Sequence, residues 1–252
     1  MRRAGSEPTV IFARPTYGPS PDRAVDNSHL AAIMYAANRG VRWVGPACPD
    51  RVGWSIARNG VVEEALEYGK QDQPLRDVLD GVIWVDDDVL VPPHAFHTLL
   101  SHGLDLVSGL YFQRAAPYLP VAARLNEKGQ FDFWWDYPSN VLAPVDGFGF
   151  GCCYTSIEVL RRVSVILECA DGVFSGPPVT KTYGEDFLFC RRAALVGIQP
   201  YVDTGILCRH HLDSRYADED LFKRFRGELL PADGAPVHGL IQVEEGESHF
   251  RR

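Results

Sequence analysis

Apolar runs alternate with segments of helical periodicity along the first half of the chain. Short runs of β-branched and aromatic residues, bounded by glycine and proline, are typical of strands. Between these runs, apolar residues recur at helical spacing. The predicted strands are 9–18, 40–48, 81–87 and 105–114, and the predicted helices are 23–39, 52–69 and 92–103. Strands that alternate with helices pair in parallel through right-handed crossovers, so a parallel sheet flanked by helices is expected here.

The second half of the chain is less regular and predicts antiparallel strands. The expected elements are a hairpin over 120–138, a glycine-rich segment leading into a helix over 145–163, a helix at 184–198, a strand at 199–211 and a short helix after residue 215. The predicted fold class is therefore α/β. It has a mixed, mostly parallel central sheet flanked by helices, and a smaller antiparallel portion in the second half.

Composition narrows the class of protein. With 252 residues, 46% of them apolar, the chain is long enough to form a sizeable core. Its formal net charge of −8 disfavours coating of nucleic acid or anionic membrane and favours small or neutral partners. The six cysteines lack C-x-x-C spacing, the start lacks an apolar signal core, and no apolar run is long enough to span a bilayer. These features predict a cytoplasmic protein with reduced thiols and no transmembrane segment.

Three adjacent aspartates, Asp86 to Asp88, lie at the end of the third predicted strand. Asp86 and Asp88 are two residues apart, so on an extended chain their side chains point the same way. At about 4 Å in an effective dielectric of about 20, two such charges repel by roughly 4 kcal/mol. Ligands of α/β sheets bind where parallel strands end. Clustered carboxylates there suit Mg²⁺ or Mn²⁺ completed by substrate phosphates, so a nucleoside diphosphate ligand is expected.

The order of motifs along the chain resembles that of GT-A fold nucleotide-sugar glycosyltransferases of the family 2 type, over residues 8 to about 212. The acidic triplet corresponds to the D-x-D motif of those enzymes, which by itself is a weak signal. The motifs that carry the resemblance are "ARN" (57–59), "VDDDV" (85–89), "VSGLYFQR" (107–114), "GFGFGCCY" (147–154), "YGEDFLFCRRA" (183–193) and "GILCRHH" (205–211).

The resemblance implies a metal and donor site. Asp86 would lie toward the ribose and donor sugar, and Asp88 would bind a cation that bridges the two phosphates. Asp86, Asp88 and His210 form the implied metal-ligand set, in which His211 is an alternative to His210. The implied cofactor is Mn²⁺ or Mg²⁺, and the implied donor substrate is a nucleoside-diphosphate sugar. Asp87 is also placed beside the donor.

The resemblance further implies a catalytic base at the start of the helix predicted at 184–198. Asp186 is the candidate, and Glu185 is its partner in the acidic pair. The remaining residues assigned to donor binding are Arg58 and Asn59 beside the nucleotide or its phosphates, Pro15, Thr16 and Tyr17 over the base, and Gly149 at a close backbone approach to the sugar. In an empty site, Arg58 could instead pair with the acidic triplet.

The implied organisation is one domain over 8–212, followed by a C-terminal helix and tail over 213–252. The nucleotide-binding half would cover about 8–114 and the acceptor side about 115–212. The chain lacks the Q-x-x-R-W signature of processive polysaccharide synthases, since "CRRAA" follows the acidic pair, and this argues against a long processive polymer.

The predicted function is metal-dependent transfer of a sugar, with inversion, to a hydroxyl-bearing acceptor. A non-catalytic nucleotide-sugar or carbohydrate-binding module of the same fold and a nucleotidyltransferase are the alternatives. Simpler interpretations of the residues also stay open: a solvated loop for the aspartates, a polar strand end for the histidines, and favourable helix charges for Glu185 and Asp186. The donor base and sugar, the acceptor, the choice between inversion and retention, and the oligomeric state are left open, and the acidic balance disfavours a nucleic-acid acceptor.

Overall fold

The computed structural model describes residues 7–16, 22–47, 53–68, 79–167, 169, 171–176, 184–212 and 215–229. The predictions for Tyr17 and for the tail beyond residue 229 lie outside the described residues. In chain order the elements are β1 (Thr9–Ala13), α1 (Arg23–Ala37), β2 (Arg42–Ala47), α2 (Trp54–Tyr68), β3 (Leu79–Val85), β4 (Val89–Leu90), α3 (Ala95–Ser101), β5 (Leu106–Leu110), β6 (Ala122–Leu125), β7 (Phe131–Phe133), β8 (Leu142–Pro144), β9 (Gly147–Phe148), β10 (Cys152–Ser156), α4 (Ile157–Ile166), α5 (Glu185–Leu195), β11 (Tyr201–Leu207), β12 (Arg209–Leu212), β13 (Arg215–Ala217) and α6 (Glu219–Leu229).

A seven-stranded sheet forms the centre of the described structure, in the order β2-β1-β3-β10-β5-β11-β8. β1 pairs in parallel with β2 and β3, and β11 pairs in parallel with β5. β10 lies antiparallel between β3 and β5, and β8 is antiparallel to β11. The predicted mixed and mostly parallel α/β sheet is therefore confirmed.

Both faces of the sheet are buried, which explains why β3 is apolar from Val82 to Val85, just before the aspartates. Val82 and Trp84 of β3 belong to the apolar cluster that contains residues of α2, α4 and α5. Ile83 and Val85 belong to the cluster on the other face, with residues of α1 and α3. The alternation of side chains along β3 thus places helices on both faces of the sheet, and only the end of the strand is available to a ligand.

Two small sheets flank the central one. β12 pairs with β4 and β13, and it places His210 opposite Val89, directly after the acidic turn. β6 pairs with β7 and β9, so the predicted hairpin over 120–138 is present as β6 and β7. The smaller antiparallel portion expected in the second half is confirmed.

The strand predicted at 199–211 is two strands in the structure. β11 stays in the central sheet, whereas β12 leaves it and pairs with β4. The chain pairs irregularly with β5 between Asp203 and Leu207, and the change of sheet follows this irregularity. As a result, His210 and His211 lie beside the end of β3 instead of continuing the central sheet.

The C-terminal helix packs against the body of the domain. Phe222 of α6 is buried and stacks on Phe112 at a centroid distance of 5.7 Å and on Tyr137 at 6.2 Å. The hydroxyl of Tyr137 donates a hydrogen bond of 3.0 Å to Glu219. Aromatic contacts therefore connect residues on the two sides of the division predicted at residue 213. Among the described helices, none is long and apolar enough to cross a membrane.

Candidate functional site

The three aspartates lie in a turn at the end of β3. The carbonyl of Asp86 accepts a hydrogen bond from the amide of Val89 at 3.2 Å, which closes the turn. The amide of Asp86 donates to the carbonyl of Gly151, and the amide of His211 donates to the carbonyl of Asp88 at 2.7 Å. The extended geometry expected from sequence is not present, so Asp86 and Asp88 have different partners. Asp87 is half-buried in the same turn.

Asp86 belongs to a group that we call the buried arginine cluster, formed by Arg58, Asp86, Glu185 and Asp186. The side chain of Arg58, on α2, is 3% exposed, and its Nη2 lies 2.9 Å from Asp86 Oδ1. Its Nη1 lies 2.5 Å from Glu185 Oε1 and 3.7 Å from Asp186 Oδ1. One guanidinium thus connects α2, the end of β3 and the start of α5.

Burial and charge act against each other in this cluster. Burial, helped by the charges of Asp88 and Asp186, raises the pKa of Asp86 to about 6, although Arg58 opposes this rise. Burial also raises the pKa of Glu185, with Asp186 adding to the effect. Burial by itself would lower the pKa of Arg58, but the surrounding carboxylates overcome this and raise it. Arg58 is therefore a permanent buried cation that partly compensates three acids.

Asp88 belongs to a second group, the histidine–arginine cluster, formed by Asp88, Arg114 and His210. His210 Nδ1 lies 2.8 Å from the carbonyl oxygen of Phe112, which can only accept, so Nδ1 carries the proton. Nε2 lies 3.1 Å from Asp88 Oδ2 and donates a hydrogen bond to this carboxylate when it also carries a proton, whereas without that proton its lone pair is available to a metal ion. Arg114 Nη1 lies 2.9 Å from the same oxygen.

The pKa of Asp88 is shifted in the direction opposite to that of Asp86. Burial by itself would raise the pKa of Asp88, but the hydrogen bond and charge of His210 and the charge of Arg114 outweigh it and lower the pKa. Asp88 is consequently an ionised carboxylate, and both His210 Nε2 and Arg114 Nη1 lie against its Oδ2.

The donor atoms of this second cluster suit a divalent cation. A carboxylate oxygen and an imidazole nitrogen are both ligands of Mn²⁺ and similar ions, and the hydrogen bond from Nδ1 to Phe112 fixes the tautomer that leaves Nε2 free to bind. Across the described ranges, no three His, Cys, Asp or Glu side chains form a group that could hold a metal. Because Mg²⁺ and Mn²⁺ commonly keep waters and substrate phosphates as ligands, two protein ligands are sufficient for such a site.

Tyr111 lies between the two clusters. Its ring packs edge-on against His210 at a centroid distance of 5.7 Å, and burial together with the charges of Asp186 and Asp86 raises the pKa of its hydroxyl. A Cβ added at Gly149 would lie 1.9 Å from the Tyr111 hydroxyl oxygen. Gly149 was assigned to the donor sugar from sequence. In the structure, its lack of a side chain makes room for the hydroxyl of Tyr111.

Asp186 and Glu185 lie in the first turn of α5, as the sequence indicates. The amide of Phe150 donates a hydrogen bond of 3.1 Å to Asp186 Oδ2. Phe150 follows Gly149, so the glycine-rich segment holds one oxygen of the acidic pair. The helix N-terminus also favours the ionised carboxylates.

Asn59, another residue assigned from sequence, makes its side-chain hydrogen bonds outside the acidic turn. Asn59 donates to the hydroxyl of Ser175 at 2.7 Å and accepts from the amide of Phe174 at 2.9 Å, so its side chain holds the loop over 171–176. Pro15 is buried and Thr16 is half-buried just beyond β1.

The structure distinguishes the two adjacent histidines. His210 Nε2 faces Asp88, whereas His211 Nε2 lies 3.5 Å from Asp22 Oδ2 at the start of α1. Only the backbone amide of His211 contacts Asp88. Alternate side chains on β12 point to opposite sides, which explains why one histidine reaches the acidic turn and its neighbour does not.

Sequence reasoning missed Arg114 and Tyr111 as members of the site. Both lie within "VSGLYFQR", a segment singled out for its resemblance but given no role. Arg114 is the last residue of that segment, beyond β5. A basic residue that follows a strand and has no acidic neighbour in the sequence is the signal that could have indicated a role in the site. The hydrogen bond from the Phe150 amide to Asp186 cannot be predicted from sequence, because its donor is a backbone group that every residue except proline carries.

No protein-family model matches this chain, and no curated protein matches its sequence. Solved structures with a similar fold include A197 from STIV, with 18% identity and a TM-score of 0.53, over 84% of this chain and 90% of that one. GalNAc-T7, in a structure with UDP, GalNAc and Mn²⁺, has 9% identity and a TM-score of 0.46 over 89% of this chain, which spans 48% of that protein. A glycosyltransferase involved in the glycosylation of the major capsid of PBCV-1 has 12% identity and a TM-score of 0.33 over 69% of this chain and 71% of that one.

The likeness to A197 shows a shared fold alone, and TM-scores below 0.5 carry no argument. The comparisons therefore establish the architecture, and the function has to be argued from the acidic turn and its partners.

Proposed function

We propose that the protein is a divalent-metal-dependent glycosyltransferase that moves a sugar from a nucleoside-diphosphate donor to a hydroxyl acceptor with inversion. The observation that carries this proposal is the contact of 3.1 Å between Asp88 Oδ2 and His210 Nε2, with the proton of His210 held at Nδ1. This pair of ligands lies where β3 ends, the edge at which α/β proteins bind nucleotides.

Asp88 and His210 would hold Mn²⁺ or Mg²⁺, with Asp86 at the border of the same site. Such an ion supplies Lewis-acid stabilisation of the charge that develops on a departing diphosphate. His210 is prepared for this role by its bond to the Phe112 carbonyl, because an imidazole fixed in this tautomer binds without rearrangement. Asp86 would lie toward the ribose and sugar.

Asp186 is proposed to act as the general base for the acceptor hydroxyl. Its Oδ2 accepts from the Phe150 amide, and Oδ1 lies 3.7 Å from Arg58, so the carboxylate is held at two points. These contacts fix the carboxylate at the start of α5, where a base would accept the proton of the acceptor hydroxyl. Glu185, which is bonded to Arg58 at 2.5 Å, is proposed to orient the arginine.

The remaining donor contacts are proposed from their positions. Asp87 belongs to the acidic turn, Gly149 belongs to a segment beside it, and Pro15 and Thr16 follow β1 at the same edge of the sheet. Tyr17 lies outside the described residues. For Asn59 a supporting role is proposed, because its amide is engaged by the loop over 171–176 and this loop packs beside α2.

Thermal-shift measurements with UDP, GDP, CDP and dTDP sugars, each with Mn²⁺ and with EDTA, test the donor proposal. A ligand at 100 times its Kd adds about 2.7 kcal/mol of stability. We expect one donor class to stabilise the protein when Mn²⁺ is present and to have little effect in EDTA. The proposal fails if no sugar nucleotide stabilises the protein more in Mn²⁺ than in EDTA.

Replacement of the acidic pair separates a transferase from a binding module. Asp186→Asn should abolish turnover of the donor found above, monitored by release of the nucleoside diphosphate, while metal-dependent donor binding is kept. Glu185→Gln is the matched variant, and it should reduce turnover less, because Glu185 is assigned no proton transfer. A wild-type protein that binds the donor but never releases nucleoside diphosphate, with any sugar acceptor supplied, would be a binding module.

A further inference from the structure

Within the described part of the chain, Arg114 forms one ion pair, and most of its side chain is exposed. Its side chain is 57% exposed, yet Nη1 lies 2.9 Å from Asp88 Oδ2. The backbone beneath it is fixed, because the amide of Gln113 donates to the carbonyl of Leu119 and Phe112 pairs with Pro120. A long, exposed side chain on a fixed backbone can change its partner without a change in the fold.

The oxygen that Arg114 contacts is also the one that faces His210. Asp88 Oδ2 lies 2.9 Å from Arg114 Nη1 and 3.1 Å from His210 Nε2. A divalent cation held by Asp88 and His210 would compete with Arg114 for this oxygen and repel its guanidinium. The guanidinium keeps its charge under all ordinary conditions, so it has to find another anion.

A diphosphate is the anion that the proposed donor brings to this place. Guanidinium groups bind phosphate oxygens through two parallel hydrogen bonds, and the contact with Asp88 uses only one of the five donors of Arg114. Arg58 cannot serve in this way, because its side chain is 3% exposed and is engaged by Asp86 and Glu185.

We propose that Arg114 is a diphosphate-binding residue that exchanges Asp88 for the phosphate oxygens of the donor when the cation binds. This inference rests on the proposed function and adds a residue to which that function assigned no role. It predicts effects of opposite sign for one substitution. Loss of Arg114 removes a competitor of the cation, and it also removes a partner of the diphosphate.

Binding measurements on Arg114→Ala test both effects. The first measurement is the Kd of Mn²⁺ alone, from the electron paramagnetic resonance signal of free Mn²⁺. The second is the Kd of UDP, GDP, CDP and dTDP in saturating Mn²⁺, by calorimetry. We expect Arg114→Ala to bind Mn²⁺ severalfold more tightly and the diphosphate at least tenfold more weakly than wild type. Arg114→Lys keeps the charge without the paired donors, and its diphosphate affinity should lie between the two.

Arg161→Ala is the matched control, because Arg161 is 58% exposed and also bonds one carboxylate, that of Glu158, at 2.9 Å. It should leave both constants unchanged. The inference is overturned if the diphosphate Kd of Arg114→Ala equals that of wild type, or if Mn²⁺ and diphosphate affinities fall together. A wild type that binds Mn²⁺ but no nucleoside diphosphate would contradict the proposed function itself, whereas a wild type that binds both and tolerates Arg114→Ala would contradict only the role of Arg114.

Discussion

The two clusters at the end of β3 shift the pKa values of Asp86 and Asp88 in opposite directions. In the buried arginine cluster, burial raises the pKa of Asp86 to about 6 despite its contact with Arg58. In the histidine–arginine cluster, His210 and Arg114 lower the pKa of Asp88, although burial opposes them. Two residues of sequence separate a carboxylate that is costly to ionise from one that is readily ionised.

The difference follows from where each positive partner lies. Arg58 is enclosed and shared among three acids, whereas Arg114 is exposed and bonds only Asp88 among the described residues. A buried and shared cation fixes positions, because removing it leaves charges without compensation. An exposed cation contributes little to stability and can be exchanged. The first cluster is therefore suited to holding the site together and the second to binding ligands.

Removal of Arg58 should have the largest effect on stability. Arg58→Met leaves Asp86 and Glu185 buried without a partner, and we expect it to lower the free energy of unfolding by about 3 to 5 kcal/mol. Arg58→Lys keeps the charge but loses the forked geometry, and it should cost less. Urea unfolding at pH 7 measures both. If Arg58→Met unfolds at the same urea concentration as wild type, the cluster does not stabilise the fold.

The opposite pKa shifts predict opposite effects of two isosteric substitutions, measured in EDTA. The folded protein binds a proton at Asp86 more tightly than the unfolded chain does, so ionisation of Asp86 destabilises the fold as the pH rises from about 4 to about 6. From the shift to about 6, this cost is roughly 3 kcal/mol at pH 7. Asp86→Asn should remove it and raise the free energy of unfolding at pH 7.

Asp88→Asn should act in the opposite direction. Because the folded pKa of Asp88 is lowered, its ionised form contributes stability above about pH 4 that is lost as the pH falls through the folded pKa. The substitution should therefore destabilise the protein at pH 7, and the difference from wild type should shrink toward low pH. Urea unfolding at several pH values between 3 and 7 checks both variants. The same sign for the two variants at pH 7 would contradict the comparison.

Much of the fold could be predicted because its signals are local. The periodicity of the first half predicts α1, α2 and the strands around them, and Asp22 caps α1 by accepting from the Ala24 amide. The insertion of β10 between β3 and β5 had no local signal, since pairing partners far apart in sequence are chosen by the packing of the whole sheet. The exit of β12 toward β4 was missed for the same reason.

The sequence indicated which residue types belong to the site, but it indicated fewer of the contacts between them. Asp86, Asp88 and His210 could be named because acids and a histidine at strand ends carry a chemical signal. Arg58 was expected beside the nucleotide or, in an empty site, paired with the acidic triplet. It does bond Asp86, but its bond to Glu185, which is 127 residues away, was not expected. Sequence cannot show that an arginine on a helix will be enclosed by carboxylates from two other elements, because burial of a charge is set by tertiary packing.

Gly149 tests how Tyr111 connects the two clusters. A Cβ there would lie 1.9 Å from the Tyr111 hydroxyl oxygen, so Gly149→Ala should cost about 1 to 3 kcal/mol of stability. In the Tyr111→Phe background the closest contact is gone, and the cost should fall by about 0.5 kcal/mol or more.

Gly60→Ala on α2 is the control for this cycle, since nothing lies within 4 Å of its added Cβ. It should be neutral or stabilise the helix by up to about 1 kcal/mol. Unfolding in urea gives all the values. Equal costs of Gly149→Ala in both backgrounds would show that the hydroxyl of Tyr111 is not what the glycine accommodates.

The smallest effect is expected for Arg114. Its ion pair with Asp88 is exposed, so Arg114→Ala should change the free energy of unfolding by less than about 1 kcal/mol in EDTA, and added salt should reduce the difference. Unfolding curves at low and high salt, compared with those of Arg58→Met, measure the contrast. A loss for Arg114→Ala as large as that for Arg58→Met would mean that both arginines support the fold. A small loss, together with weaker diphosphate binding, would instead place structural support at Arg58 and ligand exchange at Arg114.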